Sequence, residues 1–150
     1  MGNTKSIGVA YSDQDIDGGT IGATTPSTVV GTTVYATSEI GYSAAAQGTV
    51  TQATSKSTAV TLNKSAGQIT MNNASLATAT NATFTLNNST ISANDAVILT
   101  ISGGQTTPGS YNVFANSLAA GSVSITLRNI SGGSLSEAIV INFAVIHCAS

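Results

Sequence analysis

The stretch Ser122-Val-Ser-Ile-Thr-Leu-Arg128 alternates strictly between polar and apolar side chains. In a β-strand successive side chains point to opposite faces, so Val123, Ile125 and Leu127 share one face. Phe84 and Leu86 alternate with threonines in the same way. Such alternation is typical of a sheet that packs one face on a core and turns the other toward solvent.

Comparable runs lie on both sides of this stretch, separated by turns rich in Gly, Asn, Asp and Ser. No segment has the sustained periodicity of a helix. Short strands at this spacing predict an all-β protein, an antiparallel β-sandwich that is jelly-roll-like. The predicted strands span residues 49–54, 59–62, 68–71, 82–87, 96–102, 110–115, 122–129 and 138–146.

Two of these strands are rich in apolar residues on both faces. The run 96–101 is almost continuously apolar, which predicts that both of its faces are covered. In 138–146, Ile139, Ile141, Phe143 and Val145 share one face, and Val140, Asn142, Ala144 and Ile146 share the other. Such a strand either lies between two layers or meets a partner subunit.

The composition excludes several classes of protein. Charged residues make up 7% of the 150 residues, and the formal net charge is −2. Four Lys and Arg residues are too few to neutralise a nucleic-acid backbone, so we expect no nucleic-acid partner. The lone Cys148 excludes a disulfide scaffold. With one His and six carboxylates the chain is not expected to be an enzyme, and its longest apolar run is too short to predict a membrane span.

The scarcity of charge also indicates assembly. A surface of Ser, Thr, Asn and Gly can pack against a neighbour without burying an unpaired ion, which would be costly. Such a composition is common in secreted or virion assemblies. The N-terminal residues do not fit a signal peptide, because no apolar block follows Lys5.

The chain is predicted to divide near residue 47. Residues 1–47 hold four of the six carboxylates and only short extended pieces, at 6–11 and 27–36. They are predicted to form an extended N-terminal arm, with the linker Ala44-Ala45-Ala46 near its end. Residues 48–150 are predicted to form the β-sandwich.

The arm contains one motif with the appearance of a metal site. Asp13, Asp15 and Asp17 precede Gly18 at the spacing with which a calcium loop begins. The bidentate Glu expected at the twelfth position is Thr24 here. A solvated acidic loop is therefore the preferred interpretation, with calcium binding as the alternative, and we predict no metal ligands and no cofactor.

The remaining chemical groups do not predict catalysis. His147 and Cys148 are adjacent on a strand, so their side chains diverge, and a capping pair at the strand end is the preferred interpretation. The pairs Gly103-Gly104 and Gly132-Gly133 are predicted to be hairpin turns. Arg128 is predicted to pair with Glu137 across the second of these turns, with a ligand contact as the alternative. We predict no catalytic and no cofactor-binding residues.

Several segments resemble virion proteins of tailed bacteriophages. These are residues 48–64, Gly67-Gln-Ile-Thr-Met71, the run from Ile125 to Ile146, and the opening segments 6–17 and 19–26. The resemblance covers about 100 residues and implies a β-sandwich subunit, commonly trimeric, that decorates a capsid or ends a fibre. The small size and the lack of a repetitive shaft sequence favour a capsid decoration (cement) protein.

The resemblance therefore predicts a non-enzymatic homotrimer on the outer capsid surface of the virion, assembled in the host cytoplasm. Its expected partner is the major capsid protein, with the arm 1–47 docking on the capsid and 48–150 forming the trimer. A short tail-fibre or receptor-binding tip protein is the alternative. A secreted carbohydrate-binding module is a third class, although the scattered tyrosines form no evident sugar platform.

Overall fold

The computed structural model describes residue 31 and residues 33–148. The chain divides into two compact units, Met1–Glu39 and Ile40–Ser150. In the first unit the described residues are exposed and form no strand, so the predicted strand at 27–36 is not found in its described part. The predicted piece at 6–11 and the acidic motif at Asp13, Asp15 and Asp17 lie outside the described residues.

The second unit contains eight strands and one short 3₁₀ turn, Ala44–Ala46, which occupies the predicted linker. The strands are β1 (Gln47–Thr51), β2 (Val60–Thr61), β3 (Ala66–Thr70), β4 (Asn81–Asn87), β5 (Ala96–Gly103), β6 (Tyr111–Ala119), β7 (Ser122–Asn129) and β8 (Val140–Ile146). Each predicted strand from residue 49 onward has an observed counterpart. The predicted all-β class is confirmed.

The strands form two four-stranded sheets. Sheet A has the order β1-β3-β8-β5, and sheet B has the order β2-β4-β7-β6. Pairs β1/β3 and β2/β4 are parallel, whereas the other pairs are antiparallel. The prediction of a wholly antiparallel arrangement is therefore wrong, and the two mixed sheets are compatible with a β-sandwich.

One apolar core receives side chains from both sheets. Val123, Ile125 and Leu127 of β7 are at most 1% exposed, as their alternation predicts. From β8 and the residue before it, Ile139, Ile141, Phe143 and Val145 are buried on the predicted face. Burial of an aliphatic or aromatic side chain contributes about 1.5–3 kcal/mol, so these two strands anchor the fold.

Both double-glycine turns differ from the prediction. Gly103-Gly104 leaves β5 in sheet A for β6 in sheet B, and Gly132-Gly133 lies between β7 in sheet B and β8 in sheet A. Both pairs therefore belong to connections between sheets and not to hairpins. The two-residue hairpin joins β6 to β7 through Ala120 and Gly121, where Gly121 has φ +81°.

Candidate interaction surface

The candidate interaction surface is the outer face of sheet A. None of the residues in its four strands is charged. The register sets outward side chains in rows that cross the sheet. One row is Gln47, Ala66, Ala144 and Ile98, and the next is Thr49, Gln68, Asn142 and Thr100. We call this surface the A face.

An apolar pair occupies one corner of the A face. Ile98 on β5 is 49% exposed and Ile146 on β8 is 50% exposed. Because Ile98 pairs with Ala144 and Ala96 pairs with Ile146, the two isoleucines are diagonal neighbours on adjacent strands. Within the single subunit this face of β5 is therefore not covered, and the prediction that both faces are covered is met only on the inner face. The outer face of β8 carries both polar and apolar side chains, so its contact with a partner subunit stays a prediction.

Side-chain hydrogen bonds connect strands β3, β8 and β5 at the centre of the A face. The Gln68 Nε2 group donates to Asn142 Oδ1 at 3.1 Å. The Ser102 hydroxyl donates to the same oxygen at 2.9 Å. Both bonds use Asn142 Oδ1 as the acceptor, and the Asn142 residue is exposed. Asn142 also carries the donor Nδ2, and Gln68 also carries the acceptor Oε1.

A groove of about 590 Å³ lies on the β1 side of the A face, and its lining includes Tyr42, Ala44, Gln68 and Asn142. Segment 40–46 is fixed there by three hydrogen bonds. The Tyr42 hydroxyl donates to the Val145 carbonyl. The Gln47 side-chain amide donates to the Tyr42 carbonyl at 2.8 Å, and the Lys64 Nζ donates to the Ala45 carbonyl at 2.8 Å.

His147 and Cys148, which the sequence singles out, both meet Asp95. The Asp95 carboxylate lies 2.9 Å from His147 Nδ1 and accepts the Cys148 main-chain N–H at 3.2 Å. Ser92 donates its hydroxyl and its main-chain N–H to the same carboxylate. The bonds from Ser92, followed by those from His147 and Cys148, lower the pKa of Asp95 to about 2. The arrangement fastens the end of β8 to the start of β5, as a capping role predicts.

The predicted pair of Arg128 and Glu137 is not formed. Arg128 Nη1 lies 3.5 Å from Asn81 Oδ1, and Glu137 accepts the Thr106 main-chain N–H at 2.7 Å. The prediction assumed a hairpin between β7 and β8. These strands lie in different sheets, so the two side chains are carried to different faces.

A buried polar cluster was not predicted from the sequence. Lys56 is 4% exposed, and its Nζ donates to the Asn72 carbonyl at 2.6 Å and the Glu137 carbonyl at 2.5 Å. Burial lowers the pKa of Lys56, against the raising effect of Glu137. Burial also raises the pKa of Tyr111 well above its usual range, with the Glu137 carboxylate acting in the same direction.

The geometry of this cluster suits a structural role. The Lys56 amine donates hydrogen bonds to two main-chain carbonyls, and the residue is buried. Gln52 closes the same loop by donating to the Lys56 and Thr58 carbonyls and accepting the Asn72 N–H. The sequence offers no signal for it, because an isolated Lys among Ser and Thr residues has the pattern of an exposed loop.

Within residue 31 and residues 33–148, no three His, Cys, Asp or Glu side chains gather as a metal site requires. No helix in this part of the chain is long and apolar enough to cross a membrane. Comparisons of the chain with protein-family models, curated proteins and solved structures found no match.

Proposed function

We propose that this chain is a non-enzymatic structural protein of a bacteriophage virion that decorates the outer capsid surface as a trimeric cement protein. The observation that carries the proposal is the A face, which has no charge and exposes Ile98 and Ile146 side by side. Burying such a face against another protein removes apolar area from water and desolvates no ion. The assignment to a virion and the trimeric state rest on the sequence resemblance.

In this proposal the corner of the A face formed by Ile98 and Ile146, on the β5 side of the sheet, holds the copies of the chain together, and the groove on the β1 side stays open. The trimer sits where capsid subunits meet, and the arm 1–47 extends onto the major capsid protein. Extended segments of this kind add to the edge of a neighbour's sheet through main-chain hydrogen bonds. The area buried across the joint opposes the internal pressure of the packaged genome. The same proposal includes a jelly-roll-like fold for the sandwich.

A short tail-fibre or receptor-binding tip protein is the second candidate. The groove beside Tyr42 favours it, because a groove lined by neutral amides suits recognition of an uncharged receptor. A cement protein needs a broad contact surface, whereas a tip needs such an exposed groove.

The test mixes purified full-length protein with capsids of the phage that lack it, followed by sedimentation. We expect binding that saturates at a fixed ratio of protein to capsid and makes the capsids more resistant to heat. Failure to sediment with capsids, together with binding to host cells, would contradict capsid decoration and favour the tip.

A further inference from the structure

We infer that the groove beside Tyr42 is a binding site for a neutral saccharide. This inference goes beyond capsid decoration, and either can fail without the other. The volume of the groove, about 590 Å³, lies within the usual range of small-molecule sites, about 300–1,000 Å³. The residues that contact a ligand there are Tyr42, Gln47, Thr49, Ala66, Gln68 and Asn142.

The charge of the groove selects the class of ligand. None of its lining residues carries a charge. The neighbouring cation, Lys64, has its Nζ bound to the Ala45 carbonyl. A charged ligand would lose its hydration and meet no opposite charge among the lining residues, which is costly. An uncharged ligand with many hydroxyl groups does not bear this cost.

The polar groups match a sugar more closely than they match a simple apolar ligand. The bond between Gln68 Nε2 and Asn142 Oδ1 leaves Gln68 Oε1 as an acceptor beside Asn142 Nδ2 as a donor. Two adjacent sugar hydroxyls each donate and accept, so they can satisfy both amides at once. Ala66 and the ring of Tyr42, which also line the groove, offer apolar contact for the C–H face of the sugar.

A peptide strand is a poorer occupant of this position. Recognition of an extended peptide by a sheet uses open main-chain N–H and C=O groups. Gln68 and Asn142 lie on β3 and β8, which are inner strands whose main chains are already paired on both sides. Only side chains therefore face a ligand above them.

The groove is also formed before a ligand arrives. Segment 40–46 is tied to the sheet through the Tyr42 hydroxyl, the Gln47 amide and the Lys64 amine. A site that is already ordered spends less binding energy on immobilising its own side chains.

The test is a titration of the full-length protein, labelled with nitrogen-15, with the methyl glycosides of glucose, galactose and N-acetylglucosamine. We expect at least one glycoside to shift the side-chain amide signals of Gln68 and Asn142 in a saturable manner in the millimolar range. Replacing both amides, Gln68→Ala with Asn142→Ala, should weaken binding roughly thirtyfold, because two hydrogen bonds worth about 1 kcal/mol each are lost.

Ala66→Phe provides an independent test, because it fills the groove and leaves the amides in place. It should abolish the glycoside shifts. Asn112→Ala, an exposed amide on sheet B, is the matched control and should bind as the original chain does.

Three results would overturn the inference. The first is the absence of a saturable shift with all three glycosides. The second is a glycoside shift that survives Ala66→Phe. The third is a shift of the groove signals by acetyl-trialanine amide and not by the sugars, which would make the groove a peptide site.

Discussion

The carboxylate of Asp95, just before β5, lies 2.9 Å from the imidazole of His147, just after β8. The side chain of Asp95 is fully shielded from solvent, whereas that of His147 is 53% exposed. Strands β5 and β8 pair antiparallel at one edge of sheet A, so the contact fastens the C-terminal end of β8 to the start of β5.

This contact predicts a dependence of stability on acid. The bonds that Asp95 accepts depress its folded-state pKa from 3.8 to about 2. Their stabilising effect is therefore complete above the unfolded pKa and is lost as the pH falls through 3.8 toward 2. Asp95→Asn should lower the melting temperature at neutral pH and converge with the original chain in strong acid. Thermal unfolding followed by circular dichroism across this range measures the difference.

His147→Ala is the control for that prediction. It removes one of the contacts to Asp95 and keeps the larger contribution of Ser92, so its effect should be smaller than that of Asp95→Asn. An equal or larger loss in His147→Ala would show that the imidazole, and not Ser92, dominates.

The second prediction concerns a close approach of backbones at Gly104. Its φ is +83°, and a Cβ there would lie 2.0 Å from the Ala138 carbonyl oxygen. Gly109 has φ +82° with open space around it, so Gly104→Ala and Gly109→Ala share the conformational cost and differ in the clash. We expect Gly109→Ala to lose about 1 kcal/mol of unfolding free energy, and Gly104→Ala to lose several-fold more. Urea denaturation gives both values, and equal losses would contradict the close approach.

The third prediction concerns the proposed self-association through Ile98 and Ile146, at the β5 side of the A face. Ile98→Asp places a charge beside Ile146 at a half-exposed position, so the subunit should fold and the trimer should dissociate. Phe114→Asp is the matched control, since Phe114 is 42% exposed but lies on sheet B. Light scattering should give a monomer for the first variant and a trimer for the second. A trimer that survives Ile98→Asp would place the interface elsewhere.

The fourth prediction separates the arm from the sandwich. Deletion of residues 1–39 should leave a stable trimer that no longer binds capsids. Deletion of residues 1–47 should also destabilise the sandwich, because it removes Tyr42, Ala45 and the first residue of β1. Capsid sedimentation and thermal unfolding of the two truncations make the comparison. Full capsid binding by the 40–150 fragment would contradict docking through the arm.

Local patterns predicted the strands well, because alternation reports which side chains face a core. Strand β7 was predicted with its observed limits, 122–129. Strand β6 was predicted to end at Ala115, whereas the observed strand continues to Ala119. A β-bulge between Ala115 and Ser117 lets the strand continue.

Long-range relations could not be predicted in the same way. The residues around Gly103-Gly104 and around Gly132-Gly133 carry no information on whether the next strand joins the same sheet or the opposite one. The error in pairing Arg128 with Glu137 follows from that ambiguity. The groove beside Tyr42 depends on a bond between residues 103 positions apart, which no local pattern signals.

The proposed capsid decoration is tested most directly by electron microscopy of bacteriophage particles made with this chain and without it. We expect threefold density on the outer capsid surface where capsid subunits meet. This density should be absent from particles made without the chain and should return when purified protein is added. Density at the tail tip, or none on the particle, would contradict the assignment to the capsid.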